Sequence, residues 1–266
     1  MSIKLFVSDI DGTLLISGKD PSQKNIEAIH KMAEAGIIFT IATGRMYDAA
    51  FPIAKKIGIN VPIITYNGAL IKSSNGEIIH SEYLPPEVVT EIINFFEQKN
   101  THLQSYSNGI LRYPAKNKFS KLYEDLQKVS GDAVGWDGLK NFTDNVLKLL
   151  GISETAEKNL EITAELLEKF GDKISATRSA PLFAEIMNKG VSKAAAVKIL
   201  AKKYNIDKSE IAAIGDGDND LEMLKAAGLS IAMGNATDKV KSSCDVITST
   251  CEDDGLAAAV YKYILN

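Results

Sequence analysis

Apolar residues in the first third of the chain occur in short runs that end at a polar residue or a glycine. Residues 3–8, 37–42 and 62–66 are such runs, and their length and β-branched content indicate buried strands. After the first run, Ile26 and Ile29 recur at helical spacing, which indicates a helix with one buried face. Strands that alternate with helices in this way are typical of parallel βαβ units. The pattern therefore predicts a parallel sheet.

The middle of the chain has a different pattern. Turn sequences that contain Asn-Gly separate two pairs of apolar runs, which predicts β-hairpins at residues 70–80 and 102–113. Further helices are predicted at 87–98, 118–129 and 156–170, and further strands at 146–152, 173–177 and 182–187. The buried face of the helix over 156–170 is predicted to carry Leu160, Ala164, Leu167 and Phe170.

Alternation of helices and strands returns after residue 191. Helices are predicted at 192–204, 221–227 and 257–264, and strands at 210–214 and 229–233. The simplest architecture is one α/β domain interrupted by an α+β insertion of roughly 100 residues.

Charge and composition exclude several classes of partner. Thirty Lys and Arg residues against 34 Asp and Glu residues give a net charge of −4 without a basic block, which argues against nucleic-acid or anionic-membrane binding. No apolar run approaches the roughly 20 residues of a membrane span, and the N-terminus lacks a signal peptide. Cys244 and Cys251 fit no disulfide framework. We expect a soluble, cytoplasmic protein, either a monomer or a weak homodimer.

Polar segments follow three of the predicted strands. They are DIDGT at 9–13, TGR at 43–45 and GDGDND at 215–220, and Lys193 opens a predicted helix before the third segment. Because ligands bind beyond the carboxyl ends of parallel strands, these segments are expected to line one crevice. Carboxylates at this density require a hard divalent cation, and oxygen ligands favour Mg²⁺ over zinc.

The segments DIDGTLL, TGR, GVSK and GDGDND, in this order, resemble the motifs of the haloacid dehalogenase-like superfamily of phosphohydrolases. The insertion between the second and third motifs resembles the type II, class B cap of the Cof-type subfamily. The resemblance covers essentially the whole chain. It implies a Rossmann-like parallel sheet core formed by residues 1–82 and 187–266, and an inserted α+β cap at 83–186 that determines substrate specificity.

The resemblance implies a role for each acidic residue of the motifs. Asp9 is the nucleophile that takes the phosphoryl group as an aspartyl-phosphate, and Asp11 is the general acid and then the general base. Mg²⁺ is held by the carboxylates of Asp9 and Asp216 and by the main-chain carbonyl of Asp11. Asp220 acts mainly on metal-bound water. Asp218 is expected to form the turn or to be solvated, with direct ligation as the alternative.

The resemblance also implies a site for the phosphoryl oxygens that are not transferred. Thr43 and the main-chain N–H of Gly44 bind these oxygens, and Lys193 neutralises their charge. Asn219 adds a hydrogen bond. For Arg45 two interpretations stay open, a contact with the substrate or cap and an ordinary salt bridge.

Residues outside the motifs carry weaker signals. Phe95 and Phe96 are expected to pack in the core of the cap. Asn67 is expected to form the turn after the third strand, with a contact on the phosphate side as the secondary alternative. His30, His80 and His102 are interpreted as structural or surface residues. Four residues of the insertion are candidates for substrate contact, with a solvated position or a salt bridge as the alternative for each: Arg112, Tyr113, Lys116 and Arg178.

The function that follows is a Mg²⁺-dependent cytoplasmic phosphatase for small phosphorylated metabolites, with sugar phosphates as the expected class. A phosphomutase is the nearest alternative, because relatives with similar caps use the same aspartate to transfer a phosphoryl group. A regulatory phospho-accepting module is the alternative from another class. Such modules are usually smaller and lack both an inserted cap and an acid two residues after the nucleophile.

Overall fold

The computed structural model describes residues 2–265. In chain order the strands are β1 (Leu5–Ser8), β2 (Ile38–Ile41), β3 (Ile63–Thr65), β4 (Leu70–Lys72), β5 (Ile78–Ser81), β6 (His102–Ser107), β7 (Ile110–Tyr113), β8 (Gly131–Ala133), β9 (Val146–Ile152), β10 (Ile174–Thr177), β11 (Phe183–Asn188), β12 (Ile211–Gly215), β13 (Leu229–Ala232) and β14 (Val246–Ile247). The α-helices are α1 (Gln23–Glu34), α2 (Tyr47–Lys56), α3 (Pro86–Gln98), α4 (Lys118–Gln127), α5 (Gly135–Lys140), α6 (Ala156–Phe170), α7 (Lys193–Lys203), α8 (Leu221–Ala226), α9 (Asp238–Lys241) and α10 (Gly255–Ala259). None of the helices within residues 2–265 combines the length and hydrophobicity that crossing a bilayer requires.

A five-stranded parallel sheet lies at the centre of the first unit, which we call the core. Its strand order is β14-β13-β12-β1-β2, and β1 pairs with β12 on one side and β2 on the other. All four residues of β1 are buried, as expected for the middle strand of a sheet covered on both faces. Because β1 and β12 are neighbours, the polar segments that follow them emerge side by side. The predicted α/β class with a parallel sheet core is confirmed.

A small antiparallel sheet and a turn lie beside the parallel sheet of the core. A bridge between Ala42 and Ile64 places β3 beside the end of β2, and β3, β4 and β5 form a three-stranded antiparallel sheet. After β3 the chain turns through Tyr66, Asn67 and Gly68, all with positive φ. Left-handed conformations are unfavourable for residues other than glycine, so this turn is held in place by its surroundings.

A second sheet of six strands, in the order β10-β11-β9-β6-β7-β8, belongs to the second unit. We call this sheet and helices α3 to α6, residues 86–188, the cap. Neighbouring strands are antiparallel apart from β7 and β8. One face of the sheet packs against a hydrophobic cluster that contains Phe95 and Phe96, which confirms the predicted location of this pair. Alternate residues of a strand point to opposite faces of a sheet, so the remaining side chains point away from this cluster. This second face is directed towards the core, where Lys148 of β9 donates a hydrogen bond to Gly44.

The buried face of α6 differs from the predicted one. Leu160 and Leu167 are 53% and 44% exposed, whereas Ile162 and Leu166 are fully buried. Phe170 is buried as predicted. Two polar residues share the buried face, and one of them, Asn159, donates a hydrogen bond to the carbonyl of Leu182. A hydrophobicity pattern does not identify polar residues that are buried because they have hydrogen-bond partners inside the protein. The predicted buried face of α6 is therefore on the wrong side of the helix.

Short elements were also missed. Strand β8 has the sequence Gly-Asp-Ala and β14 has two residues, so neither has a hydrophobic alternation that a pattern could detect. Helices α5 and α9 have six and four residues, less than the two turns needed for a helical period to be recognised. These elements form because larger neighbours supply their packing.

The assignment of the α6 face gives a direct test of the fold. Replacement of Leu166 by Ala should lower the free energy of unfolding by about 2–5 kcal/mol, because it leaves a cavity in the hydrophobic cluster of the cap. Leu160→Ala is the matched control on the same helix and should change stability by no more than about 0.5 kcal/mol. Urea unfolding of both variants measures the difference. Equal losses in the two variants would contradict the observed orientation of α6.

Candidate active site

A buried lysine links two of the motif carboxylates. Asp9 follows β1 directly, and Lys193 is the first residue of α7, where Ser192 caps the helix through the N–H of Ala195. The Nζ atom of Lys193 lies 2.6 Å from Asp9 Oδ1 and 2.6 Å from Asp220 Oδ1. Burial acts to lower the pKa of Lys193, but the two carboxylates outweigh it and raise the pKa above its ordinary value. Lys193 therefore stays positively charged at neutral pH.

Three carboxylates converge at the ends of β1 and β12. Asp9, Asp216 and Asp220 each place an oxygen within 4.8 Å of the others. Burial, together with the charges of Asp220 and Asp216, raises the pKa of Asp9 well above its ordinary value, although Lys193 opposes this effect. Burial and the charge of Asp220 raise the pKa of Asp216 to about 7. One lysine does not balance the charge of the cluster, which is the environment that a divalent cation stabilises.

The hydrogen bonds of the cluster separate potential metal ligands from their supports. Both oxygens of Asp220 are engaged, Oδ1 by Lys193 and Oδ2 by the main-chain N–H groups of Asp216 and Gly217 at 3.0 and 2.9 Å. Asp216 has one oxygen held by the Thr13 hydroxyl at 2.7 Å, which leaves the other for a ligand. Asp9 and Asp216 thus fit the ligand role, and all donors are oxygen atoms, as Mg²⁺ prefers.

Gly12 makes room for this cluster. Its φ of +81° is in the left-handed region, and a Cβ atom at this position would lie 2.4 Å from Asp216 Oδ2. The turn after Asp11 can therefore approach Asp216 only because residue 12 has no side chain.

Asp11 forms a bidentate ion pair with Arg45. Arg45 Nε lies 2.7 Å from Asp11 Oδ2, and Nη2 lies 2.6 Å from Oδ1. Of the two interpretations of Arg45, the structure shows the salt bridge, and its partner is the residue with the proposed acid–base role. The Asp11 side chain is one-third exposed and faces the cavity described below. Because both oxygens accept hydrogen bonds from one guanidinium, the orientation of the Asp11 carboxyl group is fixed.

The segment after β2 lies opposite Asp9. The Thr43 hydroxyl accepts a hydrogen bond from the N–H of Arg45 at 3.1 Å, which fixes the turn around Gly44. Asn219 reaches this region from the third motif and donates to Asn67 Oδ1 at 3.3 Å. Asn67 forms a turn, as predicted, and is buried beside the site. In the same motif as Asn219, Asp218 points away from the cluster and pairs with Lys239 at 3.4 Å on the surface.

A cavity of about 550 Å³ lies between the core and the cap. Its core side includes Asp9, Asp11, Thr43, Gly44, Arg45, Asp216 and Asn219, while Lys193 and Asp220 lie behind this wall. Its cap side is mainly apolar and is formed by Tyr123, Leu126, Gln127, Ala180, Phe183 and Glu185. The Oε1 atom of Gln127 is buried without a hydrogen-bond partner in the described chain. The structure thus brings the predicted motif residues together around one space.

None of the four candidate residues of the cap lines the cavity, which favours the alternative given for them, a solvated position or a contact within the cap. Arg112 lies over the ring of Phe142 at 4.0 Å and donates to Ser107. Arg178 donates to Asn159 Oδ1 and to the carbonyl of Pro181. The Tyr113 hydroxyl lies 2.8 Å from Glu124 Oε1, and Lys116 is exposed. The guanidinium groups of Arg112 and Arg178 thus have partners within the cap, whereas Tyr123 and Gln127 of α4 border the cavity.

Two buried charged residues that the sequence did not predict, Lys148 and Glu185, lie where the cap contacts the core. They lie on β9 and β11 and face the core, and their side chains are 0% and 4% exposed. Lys148 Nζ is 2.7 Å from Glu185 Oε1 and 2.6 Å from the carbonyl oxygen of Gly44. Both strands are otherwise apolar and were interpreted as hydrophobic core. A single Lys in VLKLLGI and a single Glu in FAEIM were the available signals.

A family model of haloacid dehalogenase-like hydrolases matches residues 6–260. The chain belongs to this family. The 5-amino-6-(5-phospho-D-ribitylamino)uracil phosphatase YcsE of Bacillus subtilis is 29% identical to it over 266 residues, covering 100% of this chain and 97% of that protein. The match and the structural neighbours below support the Cof-type assignment and a phosphoric monoester hydrolase as the class of enzyme.

Solved structures of the family have the same fold. A haloacid dehalogenase-like hydrolase from Bacteroides thetaiotaomicron superimposes with a TM-score of 0.87 at 32% identity, covering 98% of this chain and 99% of that one. The HAD subclass IIB sugar phosphatase BT4131 superimposes with a TM-score of 0.84 at 25% identity, covering 98% of each chain. The predicted family resemblance is confirmed.

The close approach of Gly12 to Asp216 predicts a selective loss of activity in this hydrolase. Gly12→Ala should lower kcat/KM for p-nitrophenyl phosphate by about 100-fold or more, because the new Cβ displaces Asp216. Gly18→Ala is the control, since Gly18 has nearly the same φ, +82°, with no atom within 4 Å of a Cβ. Both variants should lose about 1 kcal/mol of stability from backbone strain. Equal activity of the two variants would refute the steric explanation.

Proposed function

We propose that this protein is a Mg²⁺-dependent phosphatase that hydrolyses small phosphorylated metabolites, with sugar phosphates as the substrate class, through an aspartyl-phosphate. The observation that carries the proposal is the carboxylate of Asp9, which borders the cavity next to Lys193 and two residues from a second carboxylate, Asp11. The similarity to a sugar phosphatase and to a phosphatase of a phosphoribityl compound supports the substrate class.

Asp9 would attack the phosphorus atom of the bound ester. The new bond joins a carboxylate oxygen of Asp9 to phosphorus, and the bond from phosphorus to the ester oxygen breaks. Asp11 gives a proton to the leaving alcohol, then takes a proton from the water that cleaves the aspartyl-phosphate and releases inorganic phosphate. The backbone at Gly44, the Thr43 hydroxyl and Asn219 would bind the phosphoryl oxygens, with Lys193 supplying positive charge.

Mg²⁺ would be held by the carboxylates of Asp9 and Asp216 and by the main-chain carbonyl of Asp11. Bound there, the ion would neutralise charge on the phosphoryl oxygens and relieve the repulsion within the acidic cluster. Asp220 would support the site through its bonds to Lys193 and to the main chain of residues 216 and 217.

Arg45 would regulate the proton on Asp11. To act as an acid, Asp11 must carry a proton, and this proton is incompatible with one of the two bonds from Arg45. Substrate binding would therefore draw Arg45 away from one carboxylate oxygen and free its guanidinium for the phosphoryl group or the leaving group.

The boundaries of the proposed domains remain 1–82 and 187–266 for the core and 83–186 for the cap.

Asp9→Asn tests the nucleophile. The amide keeps the size of the side chain but lacks the anionic oxygen, so phosphate release from a panel of sugar phosphates should fall by about 10⁴-fold or more. Asp218→Asn is the control, because Asp218 belongs to the same kind of acidic motif but pairs with Lys239 on the surface. It should retain wild-type activity. Phosphate release by Asp9→Asn at the wild-type rate would exclude Asp9 as nucleophile. Conversion of a sugar phosphate to an isomer by the wild-type protein, without phosphate release, would identify a phosphomutase.

The raised pKa of Asp216 predicts a pH dependence for metal binding. Mg²⁺ binds the ionised carboxylate, and protons compete with it below the pKa of about 7. The Mg²⁺ affinity, measured by calorimetry, should therefore fall about tenfold per pH unit as the pH is lowered below about 7. Above that pH the affinity should change little with respect to this group. An affinity that is constant between about pH 5 and about pH 8 would contradict ligation by an Asp216 whose pKa is raised to about 7.

A further inference from the structure

The Lys148–Glu185 pair reaches from the cap to the turns that form the phosphate site. Lys148 Nζ donates to the carbonyl of Gly44 at 2.6 Å, and Glu185 Oε2 accepts a hydrogen bond from the side-chain amide of Asn67. Asn67 in turn accepts from Asn219. A continuous chain of hydrogen bonds thus connects strands β9 and β11 of the cap to two segments of the core that border the cavity.

Packing around Gly44 is equally close. A Cβ atom at residue 44 would lie 3.0 Å from Glu185 Oε2 and 3.1 Å from Asn67 Oδ1. The backbone of Gly44 is therefore in contact with the cap carboxylate, and Glu185 also borders the cavity itself. The ring of Tyr106, another cap residue, lies edge-on to Tyr66 at 6.0 Å.

The turn that these cap residues contact is conformationally unfavourable by itself. Tyr66 and Asn67 have φ values of 51° and 54°. The turn is tied to the first phosphate-binding segment by main-chain bonds, from the N–H of Tyr66 to Arg45 at 3.0 Å and from the N–H of Asn67 to Thr43 at 2.9 Å. A conformation of this kind persists only where its surroundings fix it. The surroundings of this turn include two cap contacts, the hydrogen bond from Asn67 to Glu185 and the ring of Tyr106 against Tyr66.

Stability alone does not explain a buried ion pair at this position. Removing two charges from water costs several kcal/mol, and hydrophobic residues of similar size often stabilise a protein as well or better. An ion pair adds geometric specificity, because Lys148 and Glu185 fix the positions of their partners through hydrogen bonds. Here those partners are Gly44, whose backbone binds phosphoryl oxygens in the proposed function, and Asn67, which accepts a hydrogen bond from Asn219.

We propose that Lys148 and Glu185 are positioning residues, through which the cap holds the Thr43–Arg45 segment and the Tyr66–Gly68 turn in the geometry that binds phosphate. This inference rests on the proposed phosphatase function, in which the Thr43–Arg45 segment binds the phosphoryl oxygens. It implies that the cap is necessary for phosphate binding with every substrate, including substrates whose leaving group makes no contact with the cap.

The test uses the double variant Lys148→Met/Glu185→Leu, which removes both charges and leaves neither unpaired. Two quantities are measured in the full-length protein: amide hydrogen exchange at Tyr66 and Asn67, and competitive inhibition by inorganic phosphate. We expect exchange at both amides to accelerate about tenfold or more. The inhibition constant for phosphate should rise about 10- to 100-fold, and kcat/KM for p-nitrophenyl phosphate and for sugar phosphates should fall by a common factor.

The matched control is Glu97→Leu/Lys140→Met. This pair joins α3 to α5 within the cap, with Lys140 Nζ 2.7 Å from Glu97 Oε2, and it should leave exchange at Tyr66 and Asn67 and the phosphate inhibition constant unchanged. If the first double variant does not fold, Glu185→Gln, which keeps the size of the side chain, is measured in the same way.

The outcomes separate the two proposals. Wild-type exchange at Tyr66 and Asn67 in the folded variant would overturn the positioning role, whatever the enzyme's substrate. Faster exchange with an unchanged phosphate inhibition constant would also overturn it, because the turn would then be loosened without consequence for phosphate. A wild-type protein that hydrolyses no phosphate ester would refute the proposed function, while the exchange data would still decide whether the cap orders the turn.

Discussion

The position of one positive charge, the Nζ of Lys193, governs the arrangement of the candidate site. This charge lies 2.6 Å from Asp9 and from Asp220, and without it two buried carboxylates would repel each other at the ends of adjacent strands. Asp220 in turn orders the main chain at Asp216 through two hydrogen bonds. The lysine therefore links the first and third motifs, which are about 200 residues apart in sequence, and opposes the rise in the pKa of Asp9 that burial causes.

The rest of the site depends on contacts that cross between core and cap. Arg45 holds Asp11 from the core side, while Lys148 and Glu185 contact Gly44 and Asn67 from the cap side. In the proposed function, substrate selection and phosphate binding would thus both depend on this interface. A leaving group in the cavity would meet the mainly apolar wall of the cap.

The motif residues could be predicted because the chemistry constrains both their type and their order along the chain. Asp9, Asp11 and Asp216 follow strands whose hydrophobic runs were clear, so parallel topology was enough to bring them together. Lys148 and Glu185 could not be found in this way. Each is a single charge in an apolar strand, and its meaning depends on a partner in another strand and on residues of the core.

The errors have a common physical origin. Leu160 and Leu167 form an apolar stripe on α6 but face solvent, since buried Asn159 finds a partner that only the tertiary structure supplies. For Arg112 and Arg178, which are candidates for substrate contact because of their charge, the contacts within the cap favour the alternative interpretation. Local patterns identify which elements form, whereas the pairing of polar groups across elements decides which side of an element is functional.

The most direct test of the account is to locate the covalent intermediate. The protein is mixed with a sugar phosphate or p-nitrophenyl phosphate, quenched in acid during turnover and digested, and the phosphorylated peptide is sequenced by mass spectrometry. The account predicts a phosphoryl group on Asp9, in the peptide that also contains Asp11, and none on Asp216 or Asp220. A phosphoryl group on any other residue, or turnover without a phosphorylated peptide under conditions that preserve acyl phosphates, would contradict it.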